Sequence, residues 1–296
     1  MVKISNQKNL TPFTGVALFI FVMVAFLTLG QCMQANWGIT GLVLTELMFL
    51  AIAVIFALMN KVSIKEMFPI KKITLRDLFG CAALHAGGFI LSYISILIVG
   101  IIYPKSLDVL DGLNETMFGS LSFIPALLII ALLPAICEEA IHRGAILSCF
   151  RSLKKDWVIV LIMAVFFGIN HIYIIKFFTT AILGGILAYV LVKKNNILLT
   201  ILIHFTNNAL GVIVTYSQSG GNSSVSTASL ADMNLMPALG VYLIIGCIVP
   251  FLFVAGSLLL KPEEHNKRRF VIAAVIAAFM FITGIVILKN IPLVLV

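Results

Sequence analysis

Two adjacent glutamates, Glu138 and Glu139, interrupt an apolar run that extends from Leu132 to Leu147. His142 and Arg143 follow one helical turn later. Two further histidines, His171 and His204, interrupt apolar runs downstream, the second with Asn207 and Asn208 close behind. A carboxylate inside hydrocarbon costs about 2.5–3.5 kcal/mol on insertion scales, so two in succession need a reason. The residue types supply one. A buried glutamate beside a histidine is a general base for water. An imidazole and an amide side by side can donate hydrogen bonds to a developing oxyanion. Together they describe amide hydrolysis by an activated water. No serine or cysteine stands in a comparable setting, and Cys137, next to Glu138, faces about 100° away on a helix. Glu138, His171 and His204 could equally hold zinc as two histidines and a carboxylate. Their spacing is not that of an H-E-x-x-H helix, so the set admits a metal and does not require one.

Helical spacing separates the two glutamates. Glu139 and Arg143 stand at i and i+4, in the favourable order for an ion pair. Glu138 and His142 repeat that spacing on the adjacent stripe. We expect Arg143 to hold Glu139 as a structural pair and to leave Glu138 facing a cavity. His204 and Asn208 also stand at i, i+4, and Phe167 lies one turn before His171, where it can pack on the imidazole.

The elements that must carry these residues are membrane spans. The chain is 61% hydrophobic and 11% charged over 296 residues, far below the charge of soluble domains. About 20 apolar residues in a helix cross a bilayer core. Nine segments approach that length: 14–34, 39–59, 78–102, 121–149, 157–173, 176–192, 197–216, 237–260 and 270–288. Backbone groups in lipid must bond internally, so the expected fold is all-α, a polytopic transmembrane bundle of eight or nine spans in the cell membrane. With the N-terminus placed in the cytoplasm, sixteen of the twenty basic residues fall on the cytoplasmic side, as the positive-inside rule requires. Lys105, Lys176 and Lys289 fall on the other. The net charge of +8 therefore reads as topogenic, and no nucleic-acid partner is expected. The first apolar run reads as an uncleaved span. The five cysteines suggest neither disulfides nor a zinc ribbon.

Three regions follow: residues 1–120 with the first three spans, 121–216 with the polar motifs, and 217–296 with a flexible Ser/Gly/Asn-rich outer loop and the last spans. The outer loop 103–120 carries Asp108, Asp111 and Glu115 and could form a short surface helix. The basic loop 60–77 reads as solvated, with an interfacial amphipathic segment as the alternative. At about 1.5 Å per residue, Glu138, His171, His204 and Asn208 fall in one slab near the bilayer middle. Glu46 and His85 read as interhelical bonds and Gly184-Gly185 as a site of close helix approach.

These residues resemble the motifs of the CAAX prenyl protease and bacteriocin-processing family of intramembrane proteases, also called CPBP or Abi. The family pattern E-E-x-x-x-R appears as Glu138-Glu139-Ala140-Ile141-His142-Arg143. The pattern F-x-x-x-H appears as Phe167-Gly168-Ile169-Asn170-His171, and H-x-x-x-N as His204-Phe205-Thr206-Asn207-Asn208. The resemblance covers about residues 120–215. It implies an intramembrane endopeptidase in which Glu138 and His171 handle the water and His204 with Asn208 steadies the oxyanion. Glu139, Arg143 and Phe167 support them, and the substrate is a membrane-associated peptide or protein. The competing readings are a non-catalytic immunity or scaffold protein of the same fold, and an ion-coupled transporter, for which no internal repeat or broken-helix pair is found.

Overall fold

The computed structural model describes residues 10–109, 112, 121–218, 234–264 and 266–290. Asp111, Glu115 and most of the outer loop 217–235 lie outside these described residues. So do Lys3 and Lys8, two of the charges used to orient the chain. Among the described residues the chain is helical throughout, without a strand. Its helices are α1 (Pro12–Ala25), α2 (Gln31–Met59), the short α3 (Ile64–Met67), α4 (Leu75–Ile102), α5 (Phe123–Phe150), α6 (Asp156–Asn170), α7 (Ile174–Lys194), α8 (Ile197–Gln218), α9 (Leu235–Leu260) and α10 (Lys267–Lys289).

By length and composition, seven stretches among the described residues can cross a membrane, and the first of them runs from Pro12 to Met59. That stretch is a hairpin. Gly38 breaks the helical path with φ 51° and ψ −124°, a conformation that costs glycine little. The chain folds back there, so that the Thr45 hydroxyl lies 3.4 Å from the Gly30 carbonyl. A straight helix would separate those residues by about 22 Å. Gly41 sits against the Met33 carbonyl, where a Cβ has no room. The hairpin accounts for the first two apolar segments of the sequence. The fifth is the short α6, about 22 Å long on the helical rise.

Three features depart from the sequence reading. Segment five was expected to run to 173, but α6 stops at Asn170. The His171 imidazole Nδ1 lies 2.9 Å from the Phe167 carbonyl and satisfies an acceptor that the helix end leaves open. Ile172 then takes φ 62°, a strained value for a β-branched residue. Second, α5 is not a uniform α-helix. It contains π-helical stretches at Leu127–Leu132 and Ala140–Ile146. Third, the basic loop after α2 is not a solvated tether. Met67 is fully buried, Phe68 packs on Gly144, and the Pro69 carbonyl accepts from Ile197 N–H at 2.8 Å. Met67 and Phe68 find apolar surface in the bundle that no local pattern could announce, while Ile70 stays exposed. The expected helix in loop 103–120 is present over 105–109.

The helices around the polar segment pack closely. The ring of Phe19 on α1 stacks on Phe166 of α6 with centroids 4.0 Å apart. Gly15 of α1 meets Phe150 and Cys149 at the end of α5. α2 crosses both the Glu138-bearing part of α5 and the π-helical part that follows it, while α8 lies against the first half of α5.

Replacing Gly41 by valine is expected to force the hairpin arms apart at Met33. Overpacking of this kind costs about 1–3 kcal/mol, read as a lower unfolding midpoint of the detergent-purified protein. An unchanged midpoint would contradict the hairpin.

Candidate active site

Arg143 sets the geometry. Its side chain is fully buried, so its charge must be met inside the protein. Nη1 lies 3.0 Å from Glu139 Oε1, across the i, i+4 spacing, and Glu139 is fully buried as well. Nη2 donates to the Gly184 carbonyl of α7 at 3.2 Å. The guanidinium carbon stands 4.3 Å from the centre of the Phe167 ring, a cation–π distance. The helix approach expected at Gly184 is found: a Cβ there would come within 2.6 Å of Phe167 Cβ. Gly185 meets only ordinary contacts.

Phe167 is the hub of the histidines. Its ring lies edge-on to His142 at 5.1 Å, to His171 at 5.0 Å and to His204 at 5.6 Å, centroid to centroid. Three imidazoles and one guanidinium thus share a single buried phenyl ring, which brings α5, α6 and α8 to one point.

Glu139 is engaged twice. Besides Arg143, its Oε1 takes a hydrogen bond from His204 Nδ1 at 3.0 Å. A carboxylate can only accept, so the shared proton sits on Nδ1, and Nε2 is the nitrogen left for other partners. His171 is placed similarly, its Nδ1–H given to the Phe167 carbonyl. Asn208 donates through Nδ2 to the Ile130 carbonyl of a π-helical stretch of α5 at 3.4 Å and accepts from Asn207 at 3.3 Å. One N–H of its amide remains.

Glu138 differs from its neighbour. Oε2 of both glutamates lacks a hydrogen-bond donor among the described residues, but Glu138, though buried, makes no ion pair like those of Glu139 Oε1. Its field is shared with His204, Glu139, Arg143 and Lys176. The i, i+4 partnership with His142 does not form. His142 lies edge-on against Phe167 instead.

Two ionisable groups join the site that the motif reading set elsewhere. Glu46 of α2, read as an interhelical bond, is buried with Oε2 lacking a hydrogen-bond partner, and it interacts electrostatically with Glu138. Lys176, assigned to an outer loop, lies in the first turns of α7 and interacts with both Glu138 and His171. The available signal for Glu46 was its charge within a span.

Residues 120–210 match the Rce1-like family of type II CAAX prenyl endopeptidases. This Rce1-like segment contains Glu138, Glu139, Arg143, Phe167, His171, His204, Asn208 and Lys176, and leaves Glu46 outside. The segment is similar to CAAX-type intramembrane proteases, and the chain is a multi-pass membrane protein. No significant match was found among curated proteins or among solved structures.

Zinc was admitted by the residue types. Among the described residues, no three histidine, cysteine or carboxylate side chains of the Rce1-like segment or its neighbours converge at ligand spacing.

The two glutamates are expected to respond oppositely to neutralisation. Glu139→Gln leaves Arg143 buried without its counter-charge and should cost about 3–5 kcal/mol, seen as a large drop in thermal unfolding midpoint. Glu138→Gln removes an unsatisfied buried carboxyl, and its midpoint should equal or exceed that of the wild type. Equal losses in both variants would contradict the division of roles.

Proposed function

We propose that the protein is an intramembrane endopeptidase that hydrolyses a peptide bond of a membrane-associated peptide or protein with a water activated by Glu138. The observation that carries the reading is the asymmetry of the paired carboxylates. Oε1 of Glu139 is engaged by Arg143 and His204, whereas Glu138 beside it joins none of the ion pairs of the site, although Oε2 of both is without a donor among the described residues.

The chemistry balances with these groups alone. Glu138 takes a proton from water as the oxygen attacks the scissile carbonyl carbon. The oxyanion accepts from the remaining N–H of Asn208 and from His204 Nε2 in its imidazolium form, whose charge stands beside the Glu139 carboxylate. His171, held by the Phe167 carbonyl, presents Nε2 to the water. Collapse of the tetrahedral intermediate breaks the C–N bond, and Glu138 returns its proton to the leaving amine. The name of the matched family makes a prenylated CAAX peptide the first in vitro probe. Peptide maturation or bacteriocin-related processing is the wider class.

Glu138→Gln is expected to lower cleavage by at least about 100-fold, the usual scale for a general base, and Asn208→Ala by about 10²–10³-fold, that of an oxyanion donor. Protein levels should remain normal in both. Comparison of membrane and secreted peptides from wild-type and Glu138→Gln cells should reveal products missing from the variant. Full cleavage by Glu138→Gln would overturn the mechanism, and a partner-dependent phenotype that survives the substitution would point to a scaffold.

A further inference from the structure

The Asn208 amide is held at both ends by groups that the three motifs do not include. The first is a backbone carbonyl. In a regular helix the Ile130 carbonyl accepts from the N–H of residue 134. That residue is Pro134, which has no N–H to give. Ile130 also lies in the π-helical stretch Leu127–Leu132 that runs up to the proline. Asn208 Nδ2 donates to this carbonyl from α8 at 3.4 Å.

That contact sets the sense of the bonds beyond it. A carbonyl only accepts, so the Asn208 nitrogen must face Ile130 and Oδ1 must face away. There Oδ1 meets Asn207 Nδ2 at 3.3 Å. Neighbours on a helix point about 100° apart and do not normally face one another, so a bond between them orients both. Asn207 then has its oxygen left for a donor. α4 packs on α8, and the buried His85 imidazole is the hydrogen-bond partner of Asn207.

Donor and acceptor thus alternate from α4 through α8 to α5. Reversing the Asn208 amide would set its oxygen against the Ile130 carbonyl and its nitrogen against the Asn207 nitrogen. Both bonds would be lost at once. With the amide fixed in this sense, its second N–H has one direction open to it.

We propose that Asn207 is a positioning residue for peptide-bond hydrolysis, donating to Asn208 Oδ1 and so holding the second Asn208 N–H toward the oxyanion. The inference rests on the oxyanion role proposed for Asn208. Asn207 touches neither the water nor the scissile carbonyl, and it acts through Asn208 alone. A simple bolt between α4 and α8 would behave differently, because it would serve the fold whether or not residue 208 is asparagine.

The test is a double-mutant cycle on the full chain in detergent, with kcat and KM measured for a prenylated CAAX peptide. Asn207→Leu keeps the branched shape and removes the donor. It should lower kcat by about 10–100-fold at unchanged KM, the scale of a displaced reacting group. In the Asn208→Ala background the same substitution should change kcat by less than about twofold, because the group it positions is gone. Equal losses in the two backgrounds, as misfolding or a lost bolt would give, would overturn the proposal and leave the oxyanion role standing. Full cleavage by Asn207→Leu would do the same. Full cleavage by Asn208→Ala would overturn both.

Discussion

A guanidinium with no exposed surface cannot be left alone inside a membrane protein. Arg143 is met by a carboxylate one turn back, a backbone carbonyl on α7 and the face of a phenyl ring on α6. Each contact fixes a helix. The carbonyl is within reach because residue 184 is glycine and α7 can approach Phe167 to the limit of side-chain packing. The ring in turn is the surface on which three imidazoles rest. Removing the charge would remove the reason for this arrangement.

Reactivity follows from what the arrangement leaves over. Oε1 of Glu139 is shared by two partners, and the second, His204, is oriented by that bond with Nε2 turned away from it. Glu138 lies one residue away, on a stripe that Arg143 does not claim. Its surroundings include a second buried carboxyl, Glu46, contributed by the N-terminal hairpin outside the Rce1-like segment. The hairpin is therefore part of the wall behind the proposed base, and the fold at Gly38 matters for where that wall stands.

The parts legible in the sequence are those that depend on short range. Each of the nine apolar lengths lies on a helical part of the described residues, because a backbone in lipid has few alternatives. The Glu139–Arg143 pair was legible because opposite charges at i, i+4 attract across one turn. Other features needed the third dimension. His142 packs on Phe167 of α6 and not on Glu138, although the two stand at i, i+4 as Glu139 and Arg143 do. The end of α6 at Asn170 was hidden in a continuous apolar run, since the imidazole that completes it belongs to a residue already read as helical. Glu46 is 92 positions from Glu138 in the chain, and only the crossing of α2 over α5 brings them together. The burial of Met67 and Phe68 is of the same kind.

Arg143 and Glu139 should be stabilising as a pair and destabilising apart. A double-mutant cycle measures this directly: Glu139→Gln, Arg143→Met and the combined variant, each unfolded thermally in the same detergent. The account predicts that the combined variant recovers much of the stability lost by either single change, a coupling of several kcal/mol as expected for a buried ion pair. Additive losses, with no recovery in the combined variant, would contradict it.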